Sequence, residues 1–300
     1  MNSADTRTQS PSEVDEGTGD THRSPAVTLL DGPLGTELEA QGHATPPPAW
    51  TAEVLLRAPQ AVARVHAAWA AAGARVHTTA TFRTTERALR AHPDKPDWRA
   101  LTRHAVRLCR DAVPRDQLVA GSMAPLEDCY EPARTPDDAA LAREHAALAG
   151  ELAEAGVDLL LVETMPTLRE LRAAVAAAVA TGRPCWAAIT LGPHGDFFDA
   201  AGVDEAAKLA REEGAEAFLL NCCAPALVEP QLLRLSANSA RPERLGAYAN
   251  TLFGEASPQD YLTLARAWVV AGASIVGGCC GCTPAHLQAL RDQLSGAGSA

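Results

Sequence analysis

Aromatic side chains are scarce: 5 Trp, 3 Tyr and 5 Phe make up 4 % of 300 residues, so the placement of each ring is informative. Long apolar runs are missing as well. The Ala-rich stretch 171–180 falls far short of the roughly 20 residues a membrane span needs, and no membrane partner is expected. Residues 1–25 are polar, acidic and rich in Ser and Thr, with no apolar segment of the kind that directs export. They read as a disordered tail ahead of one domain over 26–300, and the protein reads as cytoplasmic. Clustered Lys and Arg are lacking too; with 26 basic and 37 acidic side chains the formal net charge is −11, which argues against nucleic acid as a partner. No G-x-G-x-x-G follows a strand-like run, which removes the usual dinucleotide fingerprint.

What the sequence does have is alternation. Short apolar or β-branched runs at 27–32, 74–80, 118–124, 157–164, 185–191, 215–223, 244–250 and 273–280 read as strands. Between and after them lie amphipathic stretches rich in Ala, Leu, Arg and Glu, at 59–72, 97–112, 137–155, 168–181, 204–213, 227–235, 258–271 and 284–294. Proline at the first helical position after Ser257 and Thr283, and glycine at 156, 182, 214 and 272, punctuate the helices where they should start and stop. Eight strands alternating with eight helices predict an α/β fold, a single-domain (β/α)8 barrel of the TIM type, over the competing doubly wound sheet. Chemistry is then expected where the strands end, at the carboxyl face of the barrel. Those ends carry Asp31, Thr79, Ser122, Glu163, Asn221-Cys222-Cys223, Asn250 and Gly277-Gly278-Cys279-Cys280, but no Arg or Lys.

Eight cysteines in a chain without export features point to a metal or reactive thiols more than to disulfides. Five of them, at 222, 223, 279, 280 and 282, fall in the last third. Neighbouring residues of an extended strand face opposite ways, so Cys279 and Cys280 can share one ion only if the backbone turns; Gly277, Gly278 and Gly281 permit positive-φ turns there. A third thiolate from Cys222 or Cys223 completes a three-sulfur set with one tetrahedral position open, the pattern of catalytic zinc. The alternative is that small cysteines simply pack.

These stretches resemble the zinc-dependent homocysteine S-methyltransferases. The matching blocks are Asp31-Gly32-Pro33-Leu34-Gly35-Thr36-Glu37-Leu38, Pro48-Ala49-Trp50-Thr51-Ala52, Thr79-Ala80-Thr81-Phe82, Ala120-Gly121-Ser122, Val162-Glu163-Thr164-Met165-Pro166, Asn221-Cys222 and Gly277-Gly278-Cys279-Cys280-Gly281. They run in the family's order. The resemblance implies a (β/α)8 barrel, one Zn2+ per chain on Cys222, Cys279 and Cys280, and a small amino-acid substrate. Cys223 then faces the other side of its strand. Glu163 is implied to bind the amino group of homocysteine, with Asp31 sharing that role; the alternatives are a general acid/base pair, and for Asp31 a local bond to backbone. Thr79 matches a position near the substrate, or is there for its β propensity.

The residues fit this chemistry independently. A metal-bound thiol is ionised and nucleophilic at neutral pH, and an anionic three-thiolate centre attracts a cationic methyl donor. Transfer from sulfonium to thiolate annihilates charge, which a dry pocket favours. Trp50, Phe82, Tyr130, Phe197, Phe198 and Phe253 all fall just after strands, where ring faces can meet a sulfonium; Trp50 is the foremost of them because it lies in a family block. The expected reaction moves a methyl group from S-methylmethionine or S-adenosylmethionine to homocysteine, giving methionine. The Glu-Thr-Met-Pro block resembles that branch, and nothing past the last helix matches the extension of betaine-dependent relatives or the folate and cobalamin domains of large methionine synthases. Pro33, Ala80 and Cys282 depart from the common pattern, Cys282 putting a further thiol beside the pair. The rival readings are another acceptor, such as selenocysteine, and a non-catalytic zinc-binding or redox-sensing barrel.

Overall fold

The computed structural model describes residues 27–252 and 256–294, together with Met1. Residues 2–25 of the expected tail and Phe253 lie outside these residues. Eight parallel strands, β1 (Thr28–Leu29), β2 (Val76–Thr78), β3 (Leu118–Met123), β4 (Leu159–Met165), β5 (Cys185–Ile189), β6 (Ala217–Asn221), β7 (Arg244–Tyr248) and β8 (Ala273–Val276), pair in the order β1-β8-β7-β6-β5-β4-β3-β2. A bridge between Leu30 and Val76 closes the ring, with Asp31 N donating to the Val76 carbonyl at 3.0 Å and Arg75 N to that of Leu29 at 2.8 Å. The expected (β/α)8 barrel is the fold.

Eleven helices are described: α1 (Gly35–Ala40), α2 (Thr51–Arg57), α3 (Pro59–Ala72), α4 (Glu86–Leu89), α5 (Trp98–Ala112), α6 (Asp138–Glu154), α7 (Leu168–Val179), α8 (Ala200–Glu212), α9 (Val228–Ser236), α10 (Pro258–Val270) and α11 (Pro284–Leu294). Five of the longer ones begin on side chains that satisfy otherwise free backbone N–H groups: Asp97, Asp137, Thr167, Asp199 and Ser257 each accept such a bond, and Ser257 forms a reciprocal box with Asp260, whereas α3 starts on Pro59 without a side-chain cap. The Asp199 cap starts α8 four residues ahead of the expected boundary. The short helices α1, α2 and α4 lie in the loops after β1 and β2 and were not expected; they are too brief to show a full period of apolar residues.

Period-two alternation divides the core. Leu30, Val76, Ala120, Leu159, Leu161, Trp186, Ala217, Leu219, Tyr248 and Ile275 fill the barrel interior, while Leu160, Val162, Phe218 and Leu220 face the helices. Continuing that parity one step toward the carboxyl end puts Ser122, Glu163 and Asn221 on the inner face. The strands are shorter than the sequence suggested. Extended backbone stops at Asn221 and Val276, so all of the clustered cysteines lie in loops beyond it. Among the described residues, no helix is long and apolar enough to cross a membrane.

Candidate active site

Asp31, Trp50, Thr79, Glu163, Cys222, Cys279 and Cys280, the seven residues singled out in the sequence, line one cavity of about 300 Å3 at the carboxyl face of the barrel. No lysine, arginine or histidine lines it among the described residues.

Two carboxylates sit deep in this cavity without a cation. Glu163 ends the inward run of β4, where it accepts hydrogen bonds from Ser122 Oγ and, at 3.4 Å, from the Tyr248 hydroxyl. Burial pushes its acid up to about 7 against those bonds, with the sulfur of Cys222 adding repulsion. Asp31 leaves β1 at the closing seam and takes both the N–H (2.8 Å) and the hydroxyl (2.9 Å) of Thr78 on the adjacent strand. This cross-strand pairing replaces the local turn bond that the sequence left open. Burial raises Asp31 to about 8, and the charge of Glu163 works in the same direction. Thr79 is buried rather than exposed to substrate alone: its hydroxyl accepts from Ser122 N at 3.1 Å and pairs with Thr81 at 2.8 Å, which orients the serine that holds Glu163.

The thiols meet because the backbone turns at two points. Cys222 adopts φ 50° immediately after β6, and Gly281 adopts φ 83° after the pair. Gly277 and Gly278 do not take positive φ, contrary to expectation; they are required by close approach, since a Cβ at 277 would lie 2.9 Å from the Asp31 carbonyl oxygen and one at 278 would lie 2.7 Å from Cys282 Cβ. The turn at Cys222 is held by Asn221, whose side-chain amide accepts from Thr164 N (3.0 Å) and donates to the Thr164 hydroxyl (2.7 Å). The sulfurs of Cys222, Cys279 and Cys280 all lie within 4.8 Å of one another, and those of Cys222 and Cys280 are 3.9 Å apart. Tetrahedral zinc with Zn–S near 2.3 Å requires about 3.8 Å between sulfurs, so the trio fits such an ion. Hydrogen bonds from the Cys279 and Cys280 thiols, with Tyr130 and Asn250 behind them, hold the Cys222 thiol well below its ordinary value. Cys223 instead packs in the outer core, where burial pushes its thiol up to about 12. Cys282 is buried with its sulfur 3.8 Å from the Ala249 carbonyl, outside the trio.

Trp50 and Phe82 form one wall of the cavity, their ring centroids 6.4 Å apart. Arg83 lies behind them, 5.0 Å from the Phe82 ring and 6.0 Å from that of Trp50, and donates to the carbonyls of Pro125 (2.6 Å) and Glu127 (2.8 Å). Tyr130 also lines the cavity, whereas Phe198 belongs to the outer core and Phe197 covers Gly192. Ser122 and Tyr130 fall where the sequence expects chemistry, but their hydrogen-bonding roles, and Tyr248 itself, are not assigned by it. Strand parity carries the signal for Ser122 and Tyr248.

A (β/α)8 barrel whose carboxyl face gathers a soft, metal-fitting thiol trio and two buried carboxylates has the make-up of an enzyme site able to hold a metal through sulfur. A family model for homocysteine S-methyltransferase matches residues 28–294, and the chain belongs to that family. It is 32% identical to the homocysteine S-methyltransferase of Escherichia coli (strain K12) over 88% of this chain and 94% of that protein. To the selenocysteine methyltransferase of Astragalus bisulcatus it is 26% identical over 91% and 94%. The metallated form of the homocysteine methyltransferase MmuM from Escherichia coli superposes with a TM-score of 0.77 at 28% identity, covering 89% of this chain and 96% of that one.

Proposed function

We propose that this chain moves a methyl group from a sulfonium donor, S-methylmethionine or S-adenosylmethionine, to the thiolate of homocysteine, with one Zn2+ held by Cys222, Cys279 and Cys280. The observation that carries the reading is the convergence of three sulfurs spaced for a tetrahedral ion with two buried carboxylates that lack a cation, in one cavity. Bound Zn2+ supplies the positive charge that keeps a substrate thiol ionised at neutral pH.

The chain's own residues do the rest. Glu163, aimed by Ser122 and Tyr248, and Asp31, aimed by Thr78, receive the substrate ammonium; its arrival restores the ionised state that burial disfavours. No proton has to reach either acid during transfer, so both act in binding. Trp50 and Phe82 offer π faces to the sulfonium, worth about 0.5–2 kcal/mol each. In the transfer itself the donor S–CH3 bond breaks as the acceptor S–CH3 bond forms, and the donor leaves as a neutral thioether. Cation and anion are consumed together, so an apolar wall that excludes water lowers the barrier. A cytoplasmic setting, where thiols stay reduced, suits a ligand set of this kind.

The test is an assay of homocysteine, selenocysteine and cysteine against S-methylmethionine, S-adenosylmethionine and betaine. The expected result is fastest turnover with homocysteine and a sulfonium. Selenocysteine as the better acceptor would move the chain toward the reading favoured by its selenocysteine-methylating relative, and tight zinc with no turnover of any acceptor would overturn catalysis.

A further inference from the structure

Both substrates of the proposed reaction are amino acids, so a donor of the methionine type carries two positive groups, its sulfonium and its α-ammonium. The deep carboxylates and the wall of Trp50 and Phe82 account for one ammonium and one sulfonium. A second ammonium calls for a further anion in the same cavity.

The cavity has one. Asp31 and Glu163 are buried, only 2 % and 7 % exposed, whereas the third carboxylate that lines the cavity, Glu39, is exposed and marks its mouth together with Thr45 and Leu252. Glu39 belongs to the last turn of α1, where the helix dipole disfavours an acid and no basic side chain offsets it, so helix stability does not explain its place. Among the described residues its carboxylate meets a single polar partner, the Thr45 hydroxyl, and no Lys, Arg or His. That bond spans the turn after α1 and fixes the side chain at the rim, leaving the second carboxylate oxygen to accept from a ligand.

We propose that Glu39 receives the α-ammonium of the methyl donor and so restricts the donor to amino-acid sulfoniums. The proposal rests on sulfonium-dependent methyl transfer in this cavity. The acceptor sulfur has to reach the thiol trio, whose Cys222 sulfur is near enough to Glu163 to repel its charge, so the acceptor's ammonium falls to the deep pair. The donor then comes in from the open side along Trp50, and its head group is left at the mouth, where Glu39 stands. An ion contact at such a rim is partly solvated and adds selectivity at modest strength. A quaternary ammonium such as betaine has no N–H to offer it.

The test compares two donors in steady-state assays of the full-length chain with homocysteine as acceptor: S-methylmethionine, and its deamino analogue in which hydrogen replaces the ammonium. Where the analogue transfers slowly it is read as a competitive inhibitor. In Glu39→Gln the KM for S-methylmethionine is expected to rise about three- to tenfold, the order for a partly exposed charged contact, while the constants for homocysteine and for the analogue stay unchanged. Glu39→Lys is expected to weaken S-methylmethionine further and to tighten the analogue, whose carboxylate then meets a cation. A glutamate that merely supports its loop cannot reverse the preference between two donors of one shape. Equal losses for both donors, or no change for either, would overturn the proposal. So would a rise confined to homocysteine, which would put the acceptor's ammonium at the mouth. If the unaltered chain neither transfers methyl from S-methylmethionine nor binds it in equilibrium dialysis, the reading of the reaction fails and the subsite falls with it. Binding that weakens in Glu39→Gln, without transfer in the unaltered chain, would keep the subsite and overturn only the reaction.

Discussion

Of the residues in the cavity, Glu163 makes the clearest claim on solution behaviour. Its acid stands near 7 and that of Asp31 near 8, against ordinary values of 4.5 and 3.8. Between those limits the native metal-free protein holds protons that the unfolded chain releases, so its stability is expected to fall as pH rises through that window. Substrate capture runs the other way: an ammonium is best received when both acids are ionised. The homocysteine KM is therefore expected to drop as pH rises through 7 to 8. In Glu163→Gln the component near 7 should vanish and KM should rise about 10- to 100-fold with kcat little changed, the order expected for a lost charged hydrogen bond. A fall in kcat that tracks the same acid would instead make Glu163 a general base. The neighbouring cysteines give a second contrast, read by metal analysis and thermal melting. Cys222→Ser should lose the metal. Cys223→Ser should keep it and lose about 1–3 kcal/mol of stability, because a hydroxyl replaces a thiol in the apolar outer core.

Among the elements, the turn from Gly277 to Cys282 does the most with the least secondary structure. Gly281 combines positive φ with a contact in which an added Cβ would lie 2.4 Å from Thr251 Oγ1, and its N–H donates to the Thr36 hydroxyl at 3.0 Å. Gly281→Ala is expected to cost about 1–2 kcal/mol and to weaken metal affinity while leaving the far-ultraviolet spectrum of the barrel intact. Simultaneous loss of the spectrum would make the turn a folding element instead. How far these features could be read in the sequence follows from their physics. The large helices α3, α5, α6, α7, α10 and α11 were legible because apolar periodicity runs over ten or more residues and is punctuated in most of them by a capping residue, an N-terminal proline or a terminal glycine. Strand ends were not, because the run Cys222-Cys223-Ala224 remains apolar after the backbone has left the sheet at Asn221. The thiol trio is legible from its motif, and of the three glycines expected to permit positive φ only Gly281 takes it, Gly277 and Gly278 being required by close approach instead. The Ser122–Glu163–Tyr248 set comes from three different strands, and only their register brings those oxygens together.

For the molecule as a whole, the seam of the barrel and the thiol centre are one construction. β8 pairs with both β1 and β7, Gly278 N donates to the Asp31 carbonyl at 3.1 Å, and Cys279 N donates to that of Ala249 at 2.9 Å. The last strand of the sequence thus leads into two of the three sulfurs, and on the proposed ligand set the site is complete only once β8 has docked between β1 and β7. A chain in which β8 has not docked would have only Cys222 in place and is expected to grip zinc no better than an unfolded peptide does. On the proposed ligand set the ion would then serve as a clasp that fastens only on a finished ring. In refolding from denaturant, zinc uptake followed by a coloured chelator is expected to lag behind the early rise in helical signal and to coincide with the slowest phase. Uptake that keeps pace with the first phase would mean the clasp forms before the ring.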